Sequence, residues 1–166
     1  KAAKERIEKY ITEAEQAGAK ILVDGRNVTV PGSEGGFYVG PTVIDFVTPD
    51  MAIAKEEVFG PVLAIMRTKT LDEAIEIENQ SAYGNAAAVF TQSGGIAKYV
   101  TEKASAGMIG VNIGVPVPRE PFSFGGWNES RFGAGDITGK SSIEFWTQMK
   151  KTTIKWNPEA RTNWMS

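Results

Sequence analysis

The chain has 166 residues, of which 42% are hydrophobic and 23% are charged, and its formal net charge is −2. This composition fits one ordinary globular domain with a real core. The weak negative charge argues against a nucleic-acid or anionic-membrane binder. The sequence contains no cysteine and no histidine, which excludes disulfides, Cys/His metal sites and catalysis by the commonest general base.

The first predicted element is an amphipathic helix. Apolar residues recur at helical spacing from Ala3 to Ala17, and Gly18 supplies a C-cap. The sequence KILVDG (20–25) then predicts a short strand. A second extended segment, YVGPTVIDF (38–46), includes Pro41, which keeps part of it out of a central ladder.

The middle of the chain alternates between strand and helix patterns. Three short apolar runs predict buried strands, namely VLAIMRT (62–68), AAAVFT (86–91) and GMIGVN (107–112). Thr70 and Glu73 form a capping box for a helix that begins near Leu71 and ends around Asn79, and Ser93 caps a second helix. This order predicts an α/β fold with a parallel sheet and helical crossovers.

The segment 114–140 is rich in proline, glycine and aromatic residues. A loop of this length in a compact domain is usually functional. Within it, GAGDITG (133–139) looks like a dinucleotide fingerprint, but its third glycine comes one residue late and no strand precedes it. A helix near 141–149 and a strand-like TTIKW (152–156) follow.

Four motifs in a fixed order carry a resemblance to a known family. They are KEEVFGPV (55–62), YGNAAAVFT (83–91), AGMIGVN (106–112) and FSFGGWNESRFG (122–133). Together they resemble the C-terminal part of the aldehyde dehydrogenase superfamily. The last motif is most similar to the CoA-acylating branch that oxidises methylmalonate semialdehyde, because Trp127-Asn128-Glu129-Ser130 replaces the lysine-containing sequence of most members.

The resemblance implies roles for three side chains. Glu57 would bind the nicotinamide-side ribose of NAD, since a carboxylate accepts hydrogen bonds from both adjacent hydroxyls, and Phe59 would form an apolar wall beside it. Phe124 would lie at the inner end of the substrate tunnel. Without the family resemblance, Glu57 is expected to be a solvated acid at a strand end and Phe59 a core residue. Glu56 is expected to be an ordinary surface acid in either case.

The resemblance also implies an activity for the parent enzyme. A cysteine upstream of this chain would attack the aldehyde, NAD would be the oxidant, and coenzyme A rather than water would take the acyl group. The chain is then a partial catalytic domain (1–148), an oligomerisation strand (149–158) that joins a homo-oligomer, and a tail (159–166). We expect the chain alone to be inactive, and the parent to be cytoplasmic, or in the mitochondrial matrix if eukaryotic.

Several alternatives stay open at this level. The parent could instead be a hydrolytic aldehyde dehydrogenase, and the isolated chain could be a non-catalytic oligomerisation module. Asn112 either orients a loop near the nucleophile or caps a strand end. Arg119 is expected to pair with Glu120 rather than with a substrate carboxylate. Phe122 and Trp127 are expected to pack in the core.

Overall fold

The computed structural model describes residues 1–156, and this part of the chain forms five helices and seven short strands. The helices are α1 (Ala2–Gln16), α2 (Ala52–Lys55), α3 (Leu71–Asn79), α4 (Gly94–Lys103) and α5 (Ser141–Trp146). The strands are β1 (Lys20–Val23), β2 (Thr42–Asp45), β3 (Val62–Ala64), β4 (Tyr83–Gly84), β5 (Ala86–Val89), β6 (Met108–Val111) and β7 (Trp127–Asn128).

The main core lies between α1, β2 and α2. Ile7, Ile11 and Ala14 recur at helical spacing and form the buried face of α1. They join Ile44 of β2 and Ile53 of α2 in one apolar cluster. The helix ends as predicted, because Gly18 adopts a positive φ of 101° that a residue with a Cβ atom rarely takes.

The strands form three small sheets instead of the one parallel sheet that the sequence predicts. Strand β2 pairs in parallel with β3, and β5 in parallel with β6, each through a helical crossover. The β5–β6 pair confirms the predicted crossover through α4, whereas the β2–β3 unit through α2 was not among the predicted crossovers. Strand β1, however, pairs antiparallel with β2, and β4 pairs antiparallel with β7. Among residues 1–156, no ladder joins β3 to β5. The prediction was wrong here because pairing between distant strands is not visible in the period of the sequence.

Both predicted helix caps are present. The Thr70 hydroxyl accepts a hydrogen bond from Glu73 N at 3.1 Å, and the Glu73 carboxylate accepts one from Lys69 N at 2.8 Å. The Ser93 hydroxyl accepts a hydrogen bond from Ile96 N at 3.3 Å. These contacts fix the start of α3 and α4, since the first amides of a helix have no partner within it.

The expectation that the three central strands are buried is only partly right. Leu63 of β3 is 58% exposed, and Phe90, just after β5, is 70% exposed, whereas Met108 of β6 is buried. The strands are present, but the described helices cover only part of the faces of these two- and three-stranded sheets. Apolar sequence therefore predicts the strands correctly and their burial incorrectly.

The C-terminal segment forms no strand in the part that is described. Residues 149–156 have no regular structure, so this part of the predicted oligomerisation strand (149–158) pairs with no strand among residues 1–156. The rest of that segment and the predicted tail, 157–166, lie outside the described residues. Within 1–156, every helix is too short or too polar to cross a bilayer.

Candidate functional site

The motif KEEVFGPV forms a turn between α2 and β3. Helix α2 stops at Glu56, which is extended at φ −111°, and Phe59 lies in the left-handed region at φ 50°. The amide of Val62 donates to the carbonyl of Gly60 at 2.8 Å and closes the turn. Phe59 is 80% exposed, which corrects the alternative that it is a core residue.

Helix α1 holds this turn through three contacts. Arg6 Nη1 donates to Val58 O at 2.7 Å, and Tyr10 Oη donates to Glu56 Oε2 at 2.5 Å. That hydrogen bond raises the pKa of Tyr10, because it stabilises the protonated phenol beside the Glu56 carboxylate. A Cβ atom on Gly60 would lie 2.7 Å from Ile7 Cδ1, so a larger residue at this position would have to displace the Ile7 side chain.

The three contacts leave two side chains free of the helix. Glu57 is exposed, and within residues 1–156 its carboxylate makes no hydrogen bond or ion pair, in contrast to Glu56. Phe59 stands two positions further on, equally open. An open carboxylate beside an open aromatic ring suits a ligand with adjacent hydroxyls and a flat apolar face.

Phe124 lies in a separate loop and is 39% exposed. Its amide donates to Thr138 Oγ1 at 2.9 Å, and the neighbouring Ser123 hydroxyl is hydrogen-bonded to that of Ser141. A Cβ atom on Gly125 would overlap the Asp136 carboxylate. The segment 136–141 therefore supports Phe124 from one side.

The other side of this loop is fixed to β4, which the sequence analysis missed. The Asn128 side-chain amide donates to Ser105 Oγ at 3.1 Å, and Ser130 Oγ accepts from Gly84 N at 3.2 Å. Asn128 has a positive φ of 53°. The available signal was the Asn-Glu-Ser sequence, because asparagine tolerates this conformation better than most residues. Its partner Ser105, however, lies 23 positions away in sequence.

The structure also places Asn112, Arg119, Phe122 and Trp127. Asn112 caps a strand end, since its side-chain amide makes two hydrogen bonds to the backbone of Thr91, at 2.9 and 3.0 Å. Within residues 1–156, Arg119 forms no ion pair, so the expected pairing with Glu120 is absent. Phe122 and Trp127 are exposed, and the expectation that they pack in the core is wrong for this chain.

The Glu57–Phe59 turn and the Phe124 loop are two separate features here. Among the described residues, no hydrogen bond or aromatic pair joins them. A cleft of about 870 Å³ opens between α2, α3 and β4, but its lining includes none of Glu57, Phe59 and Phe124. The lining is more apolar than polar, with Met66, Ala74 and Ile77 as examples, and its titratable side chains are Lys55, Glu78 and Tyr83.

The sequence model described as the aldehyde dehydrogenase family matches residues 1–152. The chain belongs to the aldehyde dehydrogenase family. This match covers the Glu57–Phe59 turn, the Phe124 loop and all five helices. The expected family resemblance is thereby confirmed.

Relatives within the aldehyde dehydrogenase family share two-fifths or more of the aligned residues. The chain is 44% identical over 153 residues to malonate-semialdehyde dehydrogenase 2 of Geobacillus kaustophilus, covering 92% of this chain and 31% of that protein. It is 46% identical over 160 residues to the mitochondrial acylating methylmalonate-semialdehyde/malonate-semialdehyde dehydrogenase of Rattus norvegicus, covering 96% and 30%. The chain thus spans about a third of the length of these relatives.

A solved relative shows the same fold. The crystal structure of a candidate methylmalonate-semialdehyde dehydrogenase from Sinorhizobium meliloti, complexed with NAD, superposes with a TM-score of 0.91 at 40% identity. The match covers 98% of this chain and 33% of that one. The aldehyde dehydrogenase fold is therefore confirmed for this segment.

Proposed function

We propose that this chain is the C-terminal part of the catalytic domain of an NAD-dependent, CoA-acylating dehydrogenase for methylmalonate or malonate semialdehyde. Relatives named for these substrates, at 44–46% identity, support the substrate class. Coenzyme A is the proposed acyl acceptor, and the name of the Rattus norvegicus relative, which describes that enzyme as acylating, supports acyl transfer. The chain has no cysteine, so the sulfur nucleophile of the parent enzyme lies elsewhere. The isolated chain is then inactive.

The observation that carries this proposal is that the two adjacent acids, Glu56 and Glu57, differ in their contacts. Glu56 is hydrogen-bonded to Tyr10, while Glu57 is open beside the open ring of Phe59. These two open side chains fit the ribose of NAD and the face of its nicotinamide ring. Bound there, NAD would supply the hydride acceptor for oxidation of the substrate's carbonyl carbon after the cysteine has added to it. Glu57 holds the ribose hydroxyls, and Phe59 excludes water from one side.

Phe124 is proposed as the wall at the inner end of the substrate tunnel. Its loop is supported on both sides, by Thr138 and by the contacts of Asn128 and Ser130. A supported loop can hold an aromatic ring in a fixed orientation while leaving part of it open to a ligand.

The parent is proposed to be a homo-oligomer joined by residues 149–158, which add a strand to a neighbouring subunit.

The central test compares two neighbouring substitutions in the full-length enzyme that carries this segment. We expect Glu57→Gln to raise the KM for NAD about tenfold or more, since a hydrogen bond to a charged group contributes roughly 1.5–3 kcal/mol. The matched control is Glu56→Gln, which removes the same charge from the carboxylate that is hydrogen-bonded to Tyr10 of α1. We expect it to raise the NAD KM less than Glu57→Gln does. Equal kinetics for Glu57→Gln and the unmodified enzyme would refute the ribose contact.

A second assay addresses the acyl acceptor. With methylmalonate semialdehyde and NAD, we expect the full-length enzyme to form its acyl product faster when coenzyme A is present. Mass spectrometry of the product distinguishes a CoA thioester from a free acid. Formation of the free acid alone, at a rate independent of coenzyme A, would favour a hydrolytic aldehyde dehydrogenase.

A further inference from the structure

We propose that Arg6 and Tyr10 of α1 are positioning residues for the nucleotide-binding turn. The identity of the bound nucleotide rests on the proposed function; the positioning itself rests on contacts within residues 1–156. Among the described residues, neither is hydrogen-bonded to Glu57 or Phe59. Both act through the residues between and beside them, namely Val58 and Glu56.

The contacts fall on alternate positions of the turn. Tyr10 binds the side chain of Glu56, Arg6 binds the carbonyl of Val58, and Ile7 packs against Gly60. The residues left between them are Glu57 and Phe59. Both of these side chains are exposed, and among residues 1–156 neither is hydrogen-bonded to the helix.

The backbone of the turn needs such support. Phe59 has a φ of 50°, a conformation that is strained for a residue with a bulky side chain and persists only where its surroundings hold it. Arg6 fixes the carbonyl of the residue just before Phe59, and Gly60 lies directly after it. Helix α1 is a rigid base, because Ile7 and Ile11 are buried in the main core.

The contact between Tyr10 and Glu56 has a second effect. Two adjacent carboxylates present equivalent oxygen acceptors, and only one of them lies where the ribose is proposed to bind. The Tyr10 hydroxyl holds Glu56 against the helix, so Glu57 remains the acceptor available to the ligand. The helix thus selects which acid of the pair is used.

The test is a double-mutant cycle in the full-length enzyme. We expect Tyr10→Phe, which removes one hydroxyl, to raise the NAD KM about threefold or more, with kcat at saturating NAD changed less than about twofold. In the Glu57→Gln background, the same substitution should have little further effect on the NAD KM, since the contact it orients is gone. Arg6→Ala should act like Tyr10→Phe, and Arg6→Lys should restore most of the loss by donating to Val58 O.

Matched controls separate positioning from stability. Lys9→Ala alters α1 at a residue that pairs with Glu13 at 3.5 Å and not with the turn, and it should leave the NAD KM unchanged. If Arg6→Ala does not fold, Tyr10→Phe still tests the proposal. A Tyr10→Phe enzyme with a lowered melting temperature and an unchanged NAD KM overturns it, as does an equal effect in both backgrounds.

The two hypotheses fail in different ways. If Glu57→Gln leaves the NAD KM unchanged, the proposed ribose contact is wrong. If Glu57→Gln raises the NAD KM and Tyr10→Phe does not, the ribose contact stands and the positioning role of α1 is refuted.

Discussion

Asp45 holds the end of β2 through contacts that the sequence pattern does not show. Its buried carboxylate receives two hydrogen bonds from the Arg67 guanidinium, at 2.9 and 2.7 Å, and a third from Phe46 N at 2.8 Å. Phe46 has a positive φ of 58°, and Arg67 lies over its ring at 5.3 Å from the centroid. One carboxylate therefore stabilises both a strand end and a strained residue.

This pair predicts a pH-dependent stability. Hydrogen bonding to Arg67 lowers the pKa of Asp45, so its stabilising effect is present above the unfolded pKa of about 3.9 and is lost as the pH falls through the lower folded pKa. We expect Arg67→Gln to reduce the free energy of unfolding at pH 7, with the deficit shrinking below about pH 4. Urea unfolding at pH 7, 5, 4 and 3 measures it.

The control for this prediction is Arg131→Gln, which removes an arginine bonded to the Gly133 carbonyl and to no carboxylate within residues 1–156. It should show no such convergence in acid. A deficit for Arg67→Gln that stays constant from pH 7 to pH 3 would contradict the assigned coupling to Asp45.

At the scale of elements, features that depend on neighbouring residues were predicted correctly from the sequence, and features that depend on residues far apart in the chain were not. Thr70 and Ser93 cap their helices as predicted, because a cap involves residues only three positions apart. Gly18 ends α1 for the same local reason. The division into three sheets depends on pairings such as β4 with β7, which no spacing rule specifies. The exposure of Glu57 and Phe59 was implied by family likeness, whereas their support by α1 was not foreseen.

The contribution of the β4–β7 pair to stability can be tested by substituting Asn128 of β7. We expect Asn128→Ala to destabilise the chain more than Asn128→Gly does. Both lose the hydrogen bonds to Ser105, each contributing roughly 0.5–1.5 kcal/mol, but only alanine is also strained at the φ of 53°. Hydrogen exchange at the Gly84 amide, together with urea unfolding, reports the loss.

Glu129→Ala is the neighbouring control, since within residues 1–156 the Glu129 side chain makes no hydrogen bond or ion pair. Its effect on stability should lie within about 0.5 kcal/mol, as is usual for surface substitutions. An Asn128→Gly chain as stable as the unmodified one would show that the Ser105 contacts do not hold the loop.

For the whole molecule, the exposed apolar surface is the dominant feature. Large side chains including Phe59, Phe90, Phe132 and Trp156 are each at least 70% exposed. The chain also spans only about a third of the length of its relatives. Where exposed apolar side chains form a contiguous patch, the patch usually marks a surface that contacts another part of a protein or another chain.

We therefore expect the isolated chain to self-associate and to bind a hydrophobic dye, while binding NAD too weakly to saturate at submillimolar concentration. One open carboxylate and one ring give only part of a nucleotide pocket, and binding must first offset the lost translational freedom. Calorimetry with NAD and light scattering provide the two measurements. Saturable NAD binding to the isolated chain would favour a self-standing nucleotide-binding module over a partial catalytic domain.

The contact between Gly84 and Ser130 also bears on the order in which the chain folds. It closes a segment across 46 sequence positions and is reinforced by a pairing of only two residues per strand. Closing such a segment costs entropy that a few exposed hydrogen bonds barely offset. The segment that carries Phe124 should therefore fold last and unfold first. We expect limited proteolysis to cut this segment while α1 and its core are still folded.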